Sequence, residues 1–542
     1  MGIYLPMFVS NSITEEQWNE AYQEALQMAE ILPCLDISNV TPKGYPIICG
    51  IRTHEREGRN GERGWHTVGD CETFGNAEDY SMHRKRQTEF FLNEPYDALF
   101  YVASLRLSID PDDERVKNKA TQIWGAKTQG ERYHMYLLAI ACRLEEKFPK
   151  LFAVSGDITQ GQCLKAAEIA SKVLGRTVSA PDCCYPDRLW NRVQEFPLVD
   201  TEKVEAYMEL YCGAKDGELG KFLRETIDGS ILQSYWKQML GMYVPGCIGY
   251  SEQLRDFLSM GFELSDACAF SRMKDEKGKS CLKAFVDSVM QSELHIEKKD
   301  TVDPLSIDPN QSSPYSIWTL MAQFVFRGAH NWRVDRYMPL EDIKKVLCNA
   351  LSSEGDTDAL VDKWIRAEKR KQKKSEKDPL AKPDVAFKES MDSLSDELSQ
   401  EEKTYDVHKC FQLRHYEPGN TITPLILHNT LRLYRFSLTL NEDKTLARLK
   451  GADMDDHIRY IGHCSRHILL MGNDWDRILD RLKKDDSCFM RYLGLLRIKA
   501  TTDDVAHILA ALLTNDDLWE YIQNYAEAHP DEGNFEQDND TE

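Results

Sequence analysis

Apolar residues at helical spacing mark several helices in the first third of the chain. One begins after Thr14, where Gln17 completes the pattern of a capping box and Trp18 starts an apolar face. A second apolar face, with a spacing of three or four residues, runs from Tyr133 to Phe148. Pro149 follows it directly, and a proline cannot continue a helix. The pattern therefore predicts two amphipathic helices with well-marked ends.

Short apolar runs in the same region predict strands. Residues 151–154 are continuously apolar, which is typical of a strand covered on both faces. Residues 3–9 also favour a strand, and Pro6 predicts that it lies at the edge of a sheet. Strands that alternate with helices favour an α+β or α/β domain, which we place at residues 1–190.

The remaining sequence predicts mainly α-helical domains, so we expect a multi-domain protein. Helical spacing dominates residues 195–365 and 405–528. Between them, residues 366–404 hold a basic run, prolines and then an acidic run, which indicates a charged flexible linker with a transient helix as the alternative. Residues 529–542 are acidic and predict a disordered tail.

Composition narrows the functional classes. The 542 residues carry a formal charge of −22, which disfavours nucleic-acid binding except through the basic run Lys369–Lys374. An acidic surface suits solubility or a basic protein partner. The fifteen cysteines include no Cys-x-x-Cys pair, so we expect reduced thiols used as small core residues in a cytoplasmic protein. We expect no membrane span, because no long uncharged apolar stretch exists.

A repeated Thr-Gln-Gly sequence is the most distinctive motif. The copies begin at Thr128 and Thr159, 31 residues apart, and each threonine is predicted to cap a helix. The second copy follows Gly156 with the glycine spacing of a phosphate-binding loop. Gln162 replaces the lysine of that motif and Cys163 its serine or threonine, which argues against a nucleoside triphosphatase.

The glycines of the two copies predict a small polar site. A glycine near a helix start leaves free N–H groups open to an anion, although close helix packing explains it equally well. In the anion-binding interpretation, Lys127 supplies charge and Asp157 or His134 transfers protons. The predicted ligand-binding residues are Lys127, Gln129, Gly130, His134, Asp157, Gln160 and Gly161.

Metal-binding and catalytic motifs are incomplete. His463 and His467 lie four residues apart on a predicted helix, a spacing that can chelate a metal. Cys464 stands where a metalloprotease needs glutamate, so we expect a structural helix and no metal or other cofactor. No complete catalytic motif is present, which argues against an enzyme without excluding one.

The sequence thus favours an interaction or regulatory protein with a protein partner. The specific version is an acidic inhibitor that neutralises a basic partner. One alternative is an enzyme or sensor that binds a nucleotide or another phosphate-bearing small molecule at the N-terminal domain. A second alternative is a nucleic-acid-associated factor acting through Lys369–Lys374.

Overall fold

The computed structural model of the chain describes residues 2–58, 61–297, 334, 336–377, 410, 412–440, 449, 451–465, 468–484 and 486–533. All its strands precede residue 155, and helices make up most of the structure that follows. The predicted fold class, a sheet-containing N-terminal region followed by helices, is therefore confirmed. The strands are β1 Met7–Ser10, β2 Cys34–Ser38, β3 Cys49–Arg52, β4 Arg56–Glu57, β5 Arg63–Asp70, β6 Asn76–His83, β7 Ala120–Trp124 and β8 Phe152–Val154.

The helices of the N-terminal two thirds are α1 Glu15–Ile31, α2 Ala98–Arg106, α3 Tyr133–Lys147, α4 Gln160–Leu174, α5 Pro186–Gln194, α6 Asp200–Leu210, α7 Gly217–Thr226, α8 Gly229–Met242, α9 Ile248–Ser259, α10 Leu264–Phe270, α11 Leu282–Gln291, α12 Leu340–Ala350 and α13 Thr357–Lys377, with a 3-10 turn at Asp182–Cys184. The C-terminal helices are α14 Pro424–Thr439, α15 Met454–Cys464, α16 Gly472–Lys484, α17 Asp486–Leu496, α18 Asp503–Thr514 and α19 Asp516–Ala528, with a 3-10 turn at Leu413–His415.

The first sheet has the order β7-β1-β8, and both pairings are antiparallel. Phe8 lies opposite Gln122 on one side and Ala153 on the other, so β1 is the central strand. The predicted edge position of this strand is therefore wrong. The strand begins at Met7, one residue after Pro6, so the missing N–H of the proline removes no hydrogen bond from the sheet.

The second sheet is also antiparallel and has the order β3-β2-β5-β4, with β6 paired to β5. Leu35 of β2 lies opposite Arg52 on β3 and opposite Gly69 on β5. Arg56 of β4 lies opposite Gly64, near the start of β5.

Capping confirms two of the predicted helix starts. Thr14 and Gln17 form a capping box at α1, and Thr159 and Gln162 form another at α4. Each box satisfies backbone groups that a helix start leaves without partners. Gly175 ends α4 in the left-handed conformation, with φ 65°.

The first Thr-Gln-Gly copy does not begin a helix, which corrects the predicted cap at Thr128. Gln129 and Gly130 both have positive φ, 55° and 79°, and the Glu131 N–H donates to the Thr128 carbonyl. Two left-handed residues closed by this hydrogen bond make a type I′ turn, a conformation that glycine favours. Helix α3 starts only at Tyr133.

The chain divides into two compact units. The first comprises Met1–Leu32, His54–His66 and Ala77–Lys377. Its largest apolar core runs through α2 and α5 to α13, with Trp236, Tyr250 and Phe285 almost fully buried. Burial of such large side chains supplies much of the free energy of folding.

The second unit comprises Pro33–Thr53, Thr67–Asn76 and Asp378–Glu542. Its core gathers apolar residues of α14 to α19 around the buried Trp475. Helix α13 of the first unit includes the basic run Lys369–Lys374, so the start of the predicted linker is helical. The rest of that linker, 378–404, and the end of the predicted tail, 534–542, lie outside the described residues. No helix in the described part of the chain is both long and apolar enough to cross a membrane.

Candidate functional site

Four cysteine thiols converge in the first unit. The Cys212 Sγ lies 3.5 Å from the Cys184 Sγ and 3.7 Å from the Cys183 Sγ. The Sγ atoms of Cys163, Cys184 and Cys212 all lie within 4.8 Å of one another. Within the described ranges, these three form the one group of metal-ligating side chains gathered this closely. We call Cys163, Cys183, Cys184 and Cys212 the thiol cluster.

Three separate elements carry the cluster. Cys163 lies in the first turns of α4, and Cys183 and Cys184 form most of the 3-10 turn Asp182–Cys184. Pro186 opens α5 directly behind this turn, which limits the turn to a few residues. Cys212 follows α6, where the backbone leaves the helix in an extended conformation.

Backbone and side-chain hydrogen bonds join these elements. The Gln160 N–H donates to the Cys212 carbonyl at 3.0 Å, and its Nε2 donates to the Cys184 carbonyl at 2.7 Å. The Cys212 N–H donates to the Cys183 carbonyl at 3.1 Å. The three cysteine-bearing segments are therefore fixed to one another through their main chains.

The environment of the cluster favours one thiolate. Hydrogen bonds with the thiols of Cys163, Cys183 and Cys184 hold the pKa of Cys212 well below its ordinary value, against the opposing effect of burial. A hydrogen bond with Cys183 raises the pKa of Cys163, and burial raises it further. The positive end of the α4 dipole lies near Cys163 and acts in the opposite direction, because it favours negative charge on sulfur.

A buried arginine anchors the double-cysteine turn. Arg192 on α5 binds both carboxylate oxygens of Asp97, at 2.8 and 2.6 Å, and one oxygen of Asp182 at 3.0 Å. Its Nη1 also lies 3.4 Å from an oxygen of Glu145. Because Asp182 is the first residue of the 3-10 turn, Arg192 fixes the turn that carries Cys183 and Cys184.

Glu145 gives this network an unusual protonation behaviour. The side chain is 5% exposed, and burial raises its pKa to about 8 although the Arg192 charge lowers it. Its other oxygen accepts a hydrogen bond from the Val154 N–H at 3.1 Å. Glu145 also interacts electrostatically with Cys183, so the thiol cluster adjoins this buried network.

The arrangement suits a single thiophilic metal ion. Zinc lies about 2.3 Å from each of its cysteine sulfurs, and in a tetrahedron this places the sulfurs about 3.8 Å apart. The separations of the Cys212 sulfur from those of Cys184 and Cys183, 3.5 and 3.7 Å, are close to that value. Cysteine thiolates are also the ligands that select zinc and copper(I) over magnesium and calcium. The residues present therefore fit a metal–thiolate site.

Two of the predicted ligand residues, Lys127 and Asp157, bind the segment that precedes β1. Tyr4 forms a bridge to Lys127 and donates its N–H to an Asp157 oxygen at 2.8 Å. The Lys127 N–H donates to Glu78, whose carboxylate lies 3.8 Å from the Lys127 ammonium. Burial raises the pKa of Asp157. Lys127 and Asp157 thus already have partners within the chain.

The first Thr-Gln-Gly copy forms a buried polar corner. Thr128 Oγ1 lies 2.8 Å from His134 Nδ1, while His134 Nε2 and Gln129 Oε1 are buried with no hydrogen-bond partner among the described residues. Burial lowers the pKa of His134 to about 4, so its imidazole is neutral at neutral pH. Gly130 lies in the type I′ turn and Gly161 in the first turn of α4. Phosphate binding by these residues stays a prediction.

Sequence reasoning did not find the thiol cluster. Cys163 and Cys183 are 20 positions apart and Cys184 and Cys212 are 28 apart, so no short zinc-finger spacing is present. The adjacent Cys183–Cys184 pair was the one available signal. Of the weak metal candidates, His467 lies outside the described residues, and His463 has an interaction of its own within the chain.

Comparison with known proteins adds no assignment. No family model, no curated protein and no solved structure matches this chain.

Proposed function

We propose that this protein binds one zinc ion through the thiol cluster and that the metal stabilises the first unit. The observation that carries the proposal is the approach of the Cys212 sulfur to 3.5 Å from Cys184 and 3.7 Å from Cys183, with Cys163 in the same group. Cys163, Cys184 and Cys212 supply three mutually close sulfurs. Cys183, whose Sγ lies 3.7 Å from that of Cys212, supplies the fourth ligand of the proposed zinc tetrahedron.

A structural role fits this ligand set better than a hydrolytic one. Catalytic zinc keeps one position open for water, whereas four thiolates fill all four positions. The nearby carboxylates of Asp97 and Asp182 bind Arg192 instead of pointing a free base at the cluster. Zinc in this position would cross-link α4, the 3-10 turn and the segment after α6.

The wider role that we propose is that of a zinc-stabilised interaction or regulatory protein in the cytoplasm. The formal charge of −22 supports a basic protein partner, and an acidic inhibitor is the specific version of this role. A reducing compartment would keep the four thiols available as ligands.

Zinc binding is tested directly on the full chain. The protein, stripped of metal and kept reduced, is titrated with Zn²⁺ against a chromophoric chelator, and cobalt is used as a spectroscopic substitute. We expect one zinc ion per chain at sub-micromolar affinity, proton release on binding, and the intense sulfur-to-cobalt absorption of a tetrahedral thiolate site.

Two cysteine variants and one control define the ligands. Cys184→Ala and Cys212→Ala should each abolish tight binding, because each removes a sulfur from the centre of the cluster. Cys268→Ala, which removes a buried thiol from α10, should bind zinc like the wild type. A wild-type chain that binds no zinc, or tight binding that survives both cluster variants, would overturn the proposal.

A further inference from the structure

Gln160 belongs to the helix that carries Cys163, and it contacts the two other cysteine-bearing segments. Its main-chain N–H reaches the Cys212 carbonyl at 3.0 Å. Its side-chain Nε2 reaches the Cys184 carbonyl at 2.7 Å. We propose that Gln160 is a positioning residue of the metal site: it closes the thiol cluster into a single tetrahedral ligand set. This inference rests on the proposed function.

The proposed ligands come from separate elements of the fold. Cys163 has its place from the capping box of α4, and Cys183 and Cys184 have theirs from the turn that Arg192 anchors. Cys212 leaves α6 in an extended conformation and is half-buried. The Cys212 N–H donates to the Cys183 carbonyl and so joins these two segments, but none of these features sets their distance from Cys163 on α4.

The two hydrogen bonds of Gln160 set that distance. As the first residue of α4, it has an N–H with no partner inside its own helix, so this group is free to bind the Cys212 segment. The carboxamide extends from the same residue to the turn of Cys184. One residue therefore holds both loops at a set distance from Cys163.

Groups that orient metal ligands have a measurable effect of their own. Loss of such a group typically costs 10–100-fold in metal affinity even though every ligand is retained. The carbonyls of Cys184 and Cys212 are not ligands in this proposal, so Gln160 acts on the metal only through the main chain that presents the sulfurs.

The test uses Gln160→Met in the full chain. Methionine has nearly the same length and helix propensity but no donor, and the main-chain N–H is retained. We expect zinc affinity to fall about 10–100-fold and the cobalt visible bands to shift as the tetrahedron becomes distorted. Unfolding of the metal-free protein should change much less than unfolding of the zinc-bound protein.

Gln17→Ala is the matched control, because Gln17 closes the capping box of α1 and contacts no thiol. This variant should lose some stability with and without zinc, and its zinc affinity and cobalt spectrum should equal those of the wild type. If Gln160→Met binds zinc within twofold of wild type with the same cobalt spectrum, the positioning role is refuted while zinc binding stands. If the wild type binds no zinc, the proposed function fails first and the positioning role with it.

Discussion

Arg192 is predicted to stabilise the first unit far more than its neighbour Arg188, although both lie on α5 and both bind Asp182. The perturbation is Arg192→Met, which keeps an unbranched side chain and removes the guanidinium. The Arg192 side chain is 5% exposed and pairs with Asp97 at 2.6 Å, Asp182 at 3.0 Å and Glu145 at 3.4 Å. The variant leaves these acidic groups together without their cation.

Removal of one partner from a buried ion pair costs about 3–5 kcal/mol, because the remaining charge stays desolvated and unpaired. The bidentate geometry towards Asp97 and the 14% exposure of that carboxylate place Arg192 in this class. We therefore expect the free energy of unfolding to fall by about 3–5 kcal/mol. This loss is a large part of the total stability of a typical domain.

Arg188→Met is the matched control. Arg188 is 41% exposed and lies 2.6 Å from Asp182, and an exposed pair of this kind contributes only about 0–1 kcal/mol. Urea unfolding of both variants in the presence of a metal chelator, followed by tryptophan fluorescence, measures the two losses without a contribution from bound metal. Equal losses in the two variants, or a loss below about 1 kcal/mol for Arg192→Met, would refute the reasoning from burial.

Two further predictions concern buried and strained positions. Glu145 has a folded-state pKa of about 8, above its ordinary value of 4.5, so the folded state holds a proton that the unfolded state releases between these values. The free energy of unfolding should fall as pH rises through this window, by at most about 1.4 kcal/mol per pH unit. Glu145→Gln should flatten the pH dependence of the urea midpoint between pH 5.5 and 7.5. Equal slopes in the variant and the wild type would contradict this. Gly156 has φ 103°, and an added Cβ would lie 2.5 Å from atoms of both Pro6 and Tyr4. Gly156→Ala should therefore lower the unfolding free energy by more than about 2 kcal/mol. Gly175 has φ 65° and open space around it, so Gly175→Ala should lower the unfolding free energy by about 1 kcal/mol. Similar losses in the two variants would show that the close contact at Gly156 does not matter.

The sequence predicted those features that depend on a few neighbouring residues. The capping boxes of Thr14 with Gln17 and of Thr159 with Gln162 need only a four-residue pattern, and both are present. The left-handed end of α4 needs only Gly175, because glycine pays no Cβ penalty there. Local signals of this kind act over one helical turn and can be recognised without knowledge of the fold.

An identical local pattern can adopt a different conformation when it meets a different tertiary contact. Thr128 repeats the Thr-Gln-Gly pattern of Thr159, yet its N–H and hydroxyl both bind the Ile3 carbonyl. The chain at Thr128 therefore forms a turn that is hydrogen-bonded to Ile3, just before β1, and α3 starts five residues later. Gln160 was predicted to be one of the ligand-binding residues, and in the structure its N–H donates to the Cys212 carbonyl.

The periodicity of the helices, the capped starts of α1 and α4 and the acidic charge follow from the sequence alone, which contains no local metal motif. That Cys163, Cys184 and Cys212 share one site depends on the folded chain, because packing of α4, the 3-10 turn and the end of α6 brings together thiols 21 and 28 positions apart. Helical and strand patterns record which face of an element is buried, but they do not record which other element covers it. A site assembled across elements therefore appears only when the chain is folded.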